Sequence, residues 1–190
     1  MFEHFALAAP FYERLAGRLL DPARLRSYLN LPTTGALLDA GGGTGRVAKV
    51  LRGQAGRIVV ADMSERMLAQ VVGQESISAV RAPAERLPFA DGAFSRVIIV
   101  DAFHHFADHQ AAILDLWRVL APGGRLVIEE PNIDALIVKF VGLAERVAMM
   151  RSRFFSPRDM GRMLQSAGTR VEVHTDHAFN AWVVADKAAM

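Results

Sequence analysis

The sequence predicts an α/β protein built on a doubly wound, mostly parallel sheet, and three observations carry that prediction. From Gly35 onward, short β-branched runs alternate with helical stretches. Four of the runs are apolar almost throughout, as strands covered on both faces must be. The connections are short, which favours strand–helix–strand crossovers. At 190 residues the chain fits one domain. Folding at that size buries roughly 70% of the unfolded chain's surface, enough for a core without disulfide or metal.

Residues 2–30 are helical in period, with Phe2, Phe5, Phe11, Leu15, Leu19 and Leu25 apolar and Pro10 and Pro22 as punctuation. Strands are expected at Ala36–Ala40, Arg57–Asp62, Ile77–Arg81, 94–101 and 124–130, the third being the weakest apolar run. Helices fall near 45–52, 65–72 and 109–120. Ser64 and Asp108 supply start signals for the last two, and Pro122-Gly123-Gly124 stops the third. Residues 132–150 carry an apolar helical stripe running from Ile133 to Met150. Ser156-Pro157 opens a helix over 158–167, ended by Gly168. Strands near Arg170–Thr175 and 181–185 are joined closely enough to be antiparallel, which makes seven strands. The single domain therefore divides into N-terminal helices (1–34), a core (35–131), an apolar insertion (132–155), and a final helix with its antiparallel strand pair (156–190).

Hydrophobic residues make up 52% of the chain and charged residues 22%, an ordinary globular balance that excludes disorder. The absence of cysteine excludes disulfide scaffolds, thiolate zinc sites and a cysteine nucleophile, and it fits a reducing compartment. A net charge of +2 is too small to argue for a polyanion partner. Only Lys49, Lys139 and Lys187 among the 22 cations are lysine, so a pI near 9.4 reflects arginine. The start, Met1-Phe2-Glu3-His4-Phe5, has no basic leader region, and no apolar run approaches the roughly 20 residues that span a bilayer. A cytoplasmic location is expected.

The sharpest motif is Leu37-Leu38-Asp39-Ala40-Gly41-Gly42-Gly43-Thr44-Gly45-Arg46, an apolar strand running into a glycine loop that opens a helix. Glycine suits a loop against which a ligand lies, because a Cβ would collide with it. A dinucleotide fingerprint is not met, since Arg46 and Ala48 stand where its last glycine would fall. Asp62 closes the second strand. A carboxylate there can accept from both hydroxyls of a ribose, or it can form an ordinary capping turn before Ser64.

The Gly41-x-Gly43-x-Gly45 spacing after Asp39 resembles the first motif of class I S-adenosylmethionine-dependent methyltransferases. The segment Ala84-Glu85-Arg86-Leu87-Pro88-Phe89-Ala90-Asp91-Gly92-Ala93-Phe94 resembles the signature of the branch containing ubiquinone and menaquinone biosynthesis C-methyltransferases. Asp101-Ala102-Phe103-His104-His105-Phe106 and Leu120-Ala121-Pro122-Gly123-Gly124 resemble that family's segments after strand four and before strand five. The resemblance runs from about Phe11 to Gly168 and implies a Rossmann-like methyltransferase fold with S-adenosylmethionine as cofactor. It assigns Asp39, Gly41, Gly43 and Gly45 to the cofactor cradle, Asp62 to the ribose and Met63 to the adenine face. Ala84, Glu85 and Asp101 complete the site, and Tyr12 resembles a tyrosine that closes over the cofactor. The chain departs from the family at Pro83, where a carboxylate usually meets the adenine amino group, and more mildly at Ser95.

Ligands in open α/β sheets bind outside the carboxyl ends of the strands, which lines up Asp39, Gly41, Asp62, Asp101, His104 and Glu129. Methyl transfer needs alignment and a dry site, and a base only where the nucleophile begins protonated. His104 and His105 are the candidate bases, because imidazole titrates near neutrality. Alternatively, one of them fixes the loop and the other is exposed. Segment 132–155 reads as a lid over a greasy acceptor, or equally as core packing or a homodimer face. The cluster Arg146, Arg151, Arg153 and Arg158 reads as an anion or peripheral membrane contact, or as a solvated face. Arg46 reads as a cofactor-carboxylate contact or a solvated helix position.

The expected partner is a small apolar methyl acceptor, with no metal. Nucleic acid is disfavoured, because Asp101-Ala102-Phe103-His104 stands where amino-methylating enzymes resemble one another in an Asp/Asn-Pro-Pro-aromatic motif. The thiolate of cytosine C5 methylation is also missing. The rival readings are a non-catalytic cofactor-binding module with a degenerate site and an NAD(P)-dependent reductase. The reductase would require a third loop glycine and a Tyr-x-x-x-Lys pair.

Overall fold

The computed structural model describes residues 20–73, 75–131, 153, 155–165, 170–175 and 180–189. Tyr12 and nearly all of the expected lid lie outside the described residues. Helix α1 (Pro22–Tyr28) begins where Asp21 Oδ1 accepts from the Ala23 and Arg24 N–H groups. Pro22 therefore opens a helix rather than breaking one, as its fixed φ allows at the first position. In chain order there follow β1 (Ala36–Ala40), α2 (Arg46–Val50), β2 (Arg57–Asp62), α3 (Glu65–Leu68), β3 (Ile77–Arg81) and β4 (Phe94–Val100). After a 3₁₀ turn at Phe103–His105 come α4 (His109–Val119), β5 (Leu120–Pro131), α5 (Pro157–Gln165), β6 (Arg170–Thr175) and β7 (Asn180–Asp186).

The seven strands form one sheet in the order β3-β2-β1-β4-β5-β7-β6. The first five are parallel, and β7 inserts between β5 and β6, antiparallel to both. The expected mostly parallel, seven-stranded architecture is the observed one. The differences lie at element ends. Strand β4 stops at Val100 instead of 101 because Asp101 turns the backbone to φ +54°. Helix α3 stops at Leu68 because Gln70 and Val71 donate to carbonyls three residues back, which tightens the last turn. Strand β5 begins at Leu120 rather than 124: Phe94 pairs with Leu120 and Arg96 with Arg125, so 121–124 bulge out of the ladder.

Alternation along the buried strands splits the core into two layers. Leu38, Val59, Val97 and Leu126 pack with Ile113 and Leu116 of α4 and Met160 and Leu164 of α5. Leu37, Ile58, Ile98 and Val127 pack on the other side with Leu25 of α1 and Leu29 just after it, Val47 and Leu51 around α2, and Leu68 of α3. Each fully buried leucine contributes about 2 kcal/mol of transfer free energy. Two arginines close the edge near α1. Arg96 donates to the Leu29 and Asn30 carbonyls, and Arg125 donates to the Tyr28 carbonyl while pairing with Asp186. The parallel strands bring the ends of β1, β2, β4 and β5 to one side, where the glycine loop, Asp62 and the 3₁₀ turn meet.

Candidate active site

The glycine loop between β1 and α2 is shaped by close approach. Gly41 has φ +71°, and a Cβ there would lie 2.7 Å from the Ala102 methyl and 3.3 Å from the Phe106 ring. The loop thus packs directly on the turn after β4. Gly43 also lies in the left-handed region, and its N–H donates to Asp62 Oδ2 at 2.9 Å. Asp62 Oδ1 accepts from the Ser64 N–H at 2.7 Å. The capping turn and the tie to the loop therefore coexist on one carboxylate, and each oxygen keeps a second lone pair for a further donor. Met63, at the next position, is 51% exposed, an apolar side chain standing at the rim.

Asp39 lies under the loop. It is 1% exposed, and a Cβ on Gly42 would fall within 2.5–2.8 Å of its carboxyl group. Neither oxygen has a partner in regular hydrogen-bond geometry. Burial pushes its pKa up to about 7, against the pull of Arg46 and the Ala48 N–H. Arg46 forms an ion pair with Asp101 at 3.7 Å, both partly buried. Arg46 is thus an anchored cation bridging α2 and the end of β4.

Ala84 is buried, and the Glu85 carboxylate accepts from the Ala107 and Asp108 N–H groups at 2.8 and 3.1 Å, holding the entry to α4. The following Leu87-Pro88-Phe89 segment is pinned from α4. The Leu87 N–H donates to Asp115, and Arg118 donates to the Leu87 and Phe89 carbonyls while pairing with Asp115 and Asp91. Of the expected residues around the adenine, Met63 is at the surface and Glu85 is engaged with backbone.

The two histidines separate in environment. His104 is 3% exposed, and its Nδ1 lies 2.5 Å from Glu130 Oε2. Its carbonyl accepts from the Arg153 N–H at 2.9 Å. His105 is exposed, its ring centroid 3.9 Å from that of His104. Partial desolvation, and then the neighbouring His104, lower the pKa of His105. Phe155 packs on Phe103 and His109, and Arg153 lies over the Phe155 ring, so the chain beyond β5 returns onto this turn. Glu129 is buried and accepts from Asn180 Nδ2 at 2.8 Å. Several of the residues expected along the strand ends thus lie beneath the rim, and Glu130 joins them. The acidic pair Glu129-Glu130 at the end of an apolar strand was the available signal for it.

Of the expected arginine cluster, Arg146 and Arg151 lie outside the described residues. Arg158 lines a groove of about 230 Å³ between α5 and β6, at the far edge of the sheet. Among the described residues no helix is long and apolar enough to cross a membrane, and no group of His, Asp or Glu is arranged to hold a metal ion.

The sheet order and glycine loop define the Rossmann-like methyltransferase architecture. An S-adenosylmethionine-dependent methyltransferase from Mesorhizobium loti shares it with TM-score 0.72 at 19% identity, over 87% of this chain and 96% of that one. Residues 38–128 match the family described as a methyltransferase domain. A demethylmenaquinone methyltransferase from Deinococcus radiodurans is 30% identical over 95% of this chain and 90% of its own length. The chain belongs to the class I S-adenosylmethionine-dependent methyltransferases, in the branch of the ubiquinone and menaquinone biosynthesis C-methyltransferases. The demethylmenaquinone methyltransferase of Thermus thermophilus is 43% identical over 50% of this chain and 46% of its own length, so that match spans about half of the relative.

Proposed function

We propose that the protein transfers a methyl group from S-adenosylmethionine to a small apolar acceptor, with a reduced, prenylated naphthoquinone as the acceptor of first choice. The observation that carries this reading is the Asp62 carboxylate, which is tied to the Gly43 N–H and retains acceptor capacity at the mouth of the glycine loop. The residues present suit the cofactor. Asp62 would accept from the ribose hydroxyls, and the loop Gly41–Gly43–Gly45 leaves the backbone bare of side chains. Met63 offers an apolar surface to adenine, and the Ala84 backbone would read its edge. Asp39, ionised above its pKa of about 7, would supply negative potential beneath the loop, while Asp101 is paired with Arg46. Pro83 supplies no carboxylate, so adenine recognition falls on backbone and Met63.

When bound, S-adenosylmethionine supplies an already activated methyl group, so the chain's work is alignment, exclusion of water and, for a phenolic acceptor, removal of a proton. The His104–His105 turn is the base candidate because it abuts the loop through Ala102 and Phe106. The acceptor class rests on the names of the relatives, demethylmenaquinone methyltransferases among them. Such an acceptor would bring the protein to a membrane surface from the cytoplasm. Oligomeric assembly enters none of these steps.

Calorimetry with S-adenosylmethionine, S-adenosylhomocysteine and NADPH tests the cofactor. Binding of the first two and not the third is expected, and binding of NADPH alone sinks the reading. Incubation with reduced short-chain demethylmenaquinone should add the mass of one methyl. No mass gain removes that acceptor.

A further inference from the structure

We propose that the fold couples cofactor binding to proton release: the Asp39 carboxyl holds a proton in the free protein and gives it up when a cationic ligand settles on the glycine loop. The proposal rests on the methyl-transfer reading and deepens it, because it names a control on that same site.

The geometry is that of an acid sealed beneath the loop it supports. Asp39 is 1% exposed near the end of β1, and a Cβ on Gly42 would fall within 2.5–2.8 Å of its carboxyl atoms. Among the described residues, neither of its oxygens has a donor in hydrogen-bond geometry. A carboxylate placed there would lose its hydration and gain no hydrogen bond in return, so the neutral acid is the favoured form. Asp62, on the other side of the loop, is the contrast. Its two oxygens accept from the Gly43 and Ser64 N–H groups, which is what an anion requires. The loop is thus bordered by one acid built to be charged and one built to be neutral.

Charge sets how that proton responds to a ligand. Burial is the largest influence on Asp39 and carries its pKa up to about 7. Arg46 and the Ala48 N–H, both from α2, pull the other way, while Asp62 at the end of β2 adds to the rise. Arg46 also pairs with Asp101, just beyond β4, at 3.7 Å, so its charge serves two acids. S-adenosylmethionine carries a sulfonium and an ammonium group, and either one at the loop adds to the pull of Arg46. The Asp39 O–H bond then breaks, its electron pair stays on the oxygen and the proton passes to solvent. Linkage is reciprocal: the proton weakens the ligand by the same factor with which the ligand weakens the proton. Affinity therefore rises as pH climbs toward 7 and levels off above it.

The test is calorimetry with S-adenosylmethionine at pH 6 and pH 8, in pairs of buffers that differ in ionisation enthalpy. The quantity read is protons released by the wild-type chain minus those released by Asp39→Asn, which cancels the ligand's own titration. That difference should be about half a proton per cofactor at pH 6 and near zero at pH 8. Over the same range, wild-type affinity should gain roughly fivefold on that of the variant. Carboxyl ¹³C NMR on the wild-type chain decides the matter even where the variant fails to fold. One aspartate should titrate near pH 7 in the free protein and at least about one unit lower in the complex. Cofactor binding with no excess proton release, or with no aspartate moved in this way, overturns the proposal and leaves the methyl-transfer reading standing. Failure of S-adenosylmethionine to bind at either pH sinks that reading, and the proposal with it.

Discussion

Asp62 and Gly43 are joined across the mouth of the fold: the Asp62 Oδ2 at the tip of β2 accepts from the Gly43 N–H at 2.9 Å. The residue expected to read the ribose is also the residue that sets the shape of the glycine loop. Asp62→Ala should therefore weaken S-adenosylmethionine binding at least tenfold, about 1.4 kcal/mol, as read by calorimetry. An unchanged affinity would take Asp62 out of the site.

Asp39 gives the fold a pH signature. Its folded-state pKa of about 7 lies above the ordinary carboxyl value of 3.8, so the unfolded chain gives up this proton first as pH rises. The stability contributed by protonated Asp39 is complete below pH 4, declines between about 4 and 7, and is gone above 7. Asp39→Asn should remove that slope. At pH 8 the variant should be more stable by on the order of 2–4 kcal/mol, with no gain at pH 4. Urea unfolding at the two pH values measures it. Equal differences at both would assign Asp39 an ordinary carboxylate pKa. The same variant should bind the cationic cofactor more weakly, since it loses the carboxylate beneath the loop.

Gly41→Ala should be costly for two separable reasons. Its left-handed φ of +71° costs an L-residue roughly 1–2 kcal/mol. Its new methyl would also lie 2.7 Å from that of Ala102, forcing the turn after β4 away from the loop. A fall in melting temperature together with lost cofactor binding is expected. Gly53→Ala shares a positive φ and has nothing within 4 Å of the added Cβ, so it should lower stability without touching binding.

Arg96 holds the end of α1 through the Leu29 and Asn30 carbonyls, at the opposite end of the parallel strands from the glycine loop. Arg96→Ala should destabilise by about 1–2 kcal/mol in denaturant unfolding. Its affinity for S-adenosylmethionine should stay within twofold of wild type. A large loss of affinity at unchanged stability would contradict the structural role.

The sequence by itself determined the parallel core and its loop. Near-continuous apolar runs at 36–40, 57–62 and 94–101 read as strands buried on both faces, and Asp39, Asp62 and the loop glycines follow from where those strands end. Local signals also placed the caps at Ser64 and Asp108, because a capping hydroxyl or carboxylate acts within three residues. Long-range pairing decided the rest. Insertion of β7 between β5 and β6 depends on strand pairing some 50 residues apart, such as Glu129 opposite Trp182, and no local pattern encodes that choice. Arg46 found Asp101, and Glu85 turned to the entry of α4, through contacts that spacing does not reveal. His104 and His105 are chemically identical neighbours in sequence. Only the fold, by bringing the Glu130 carboxylate from β5 against one of them, made them different.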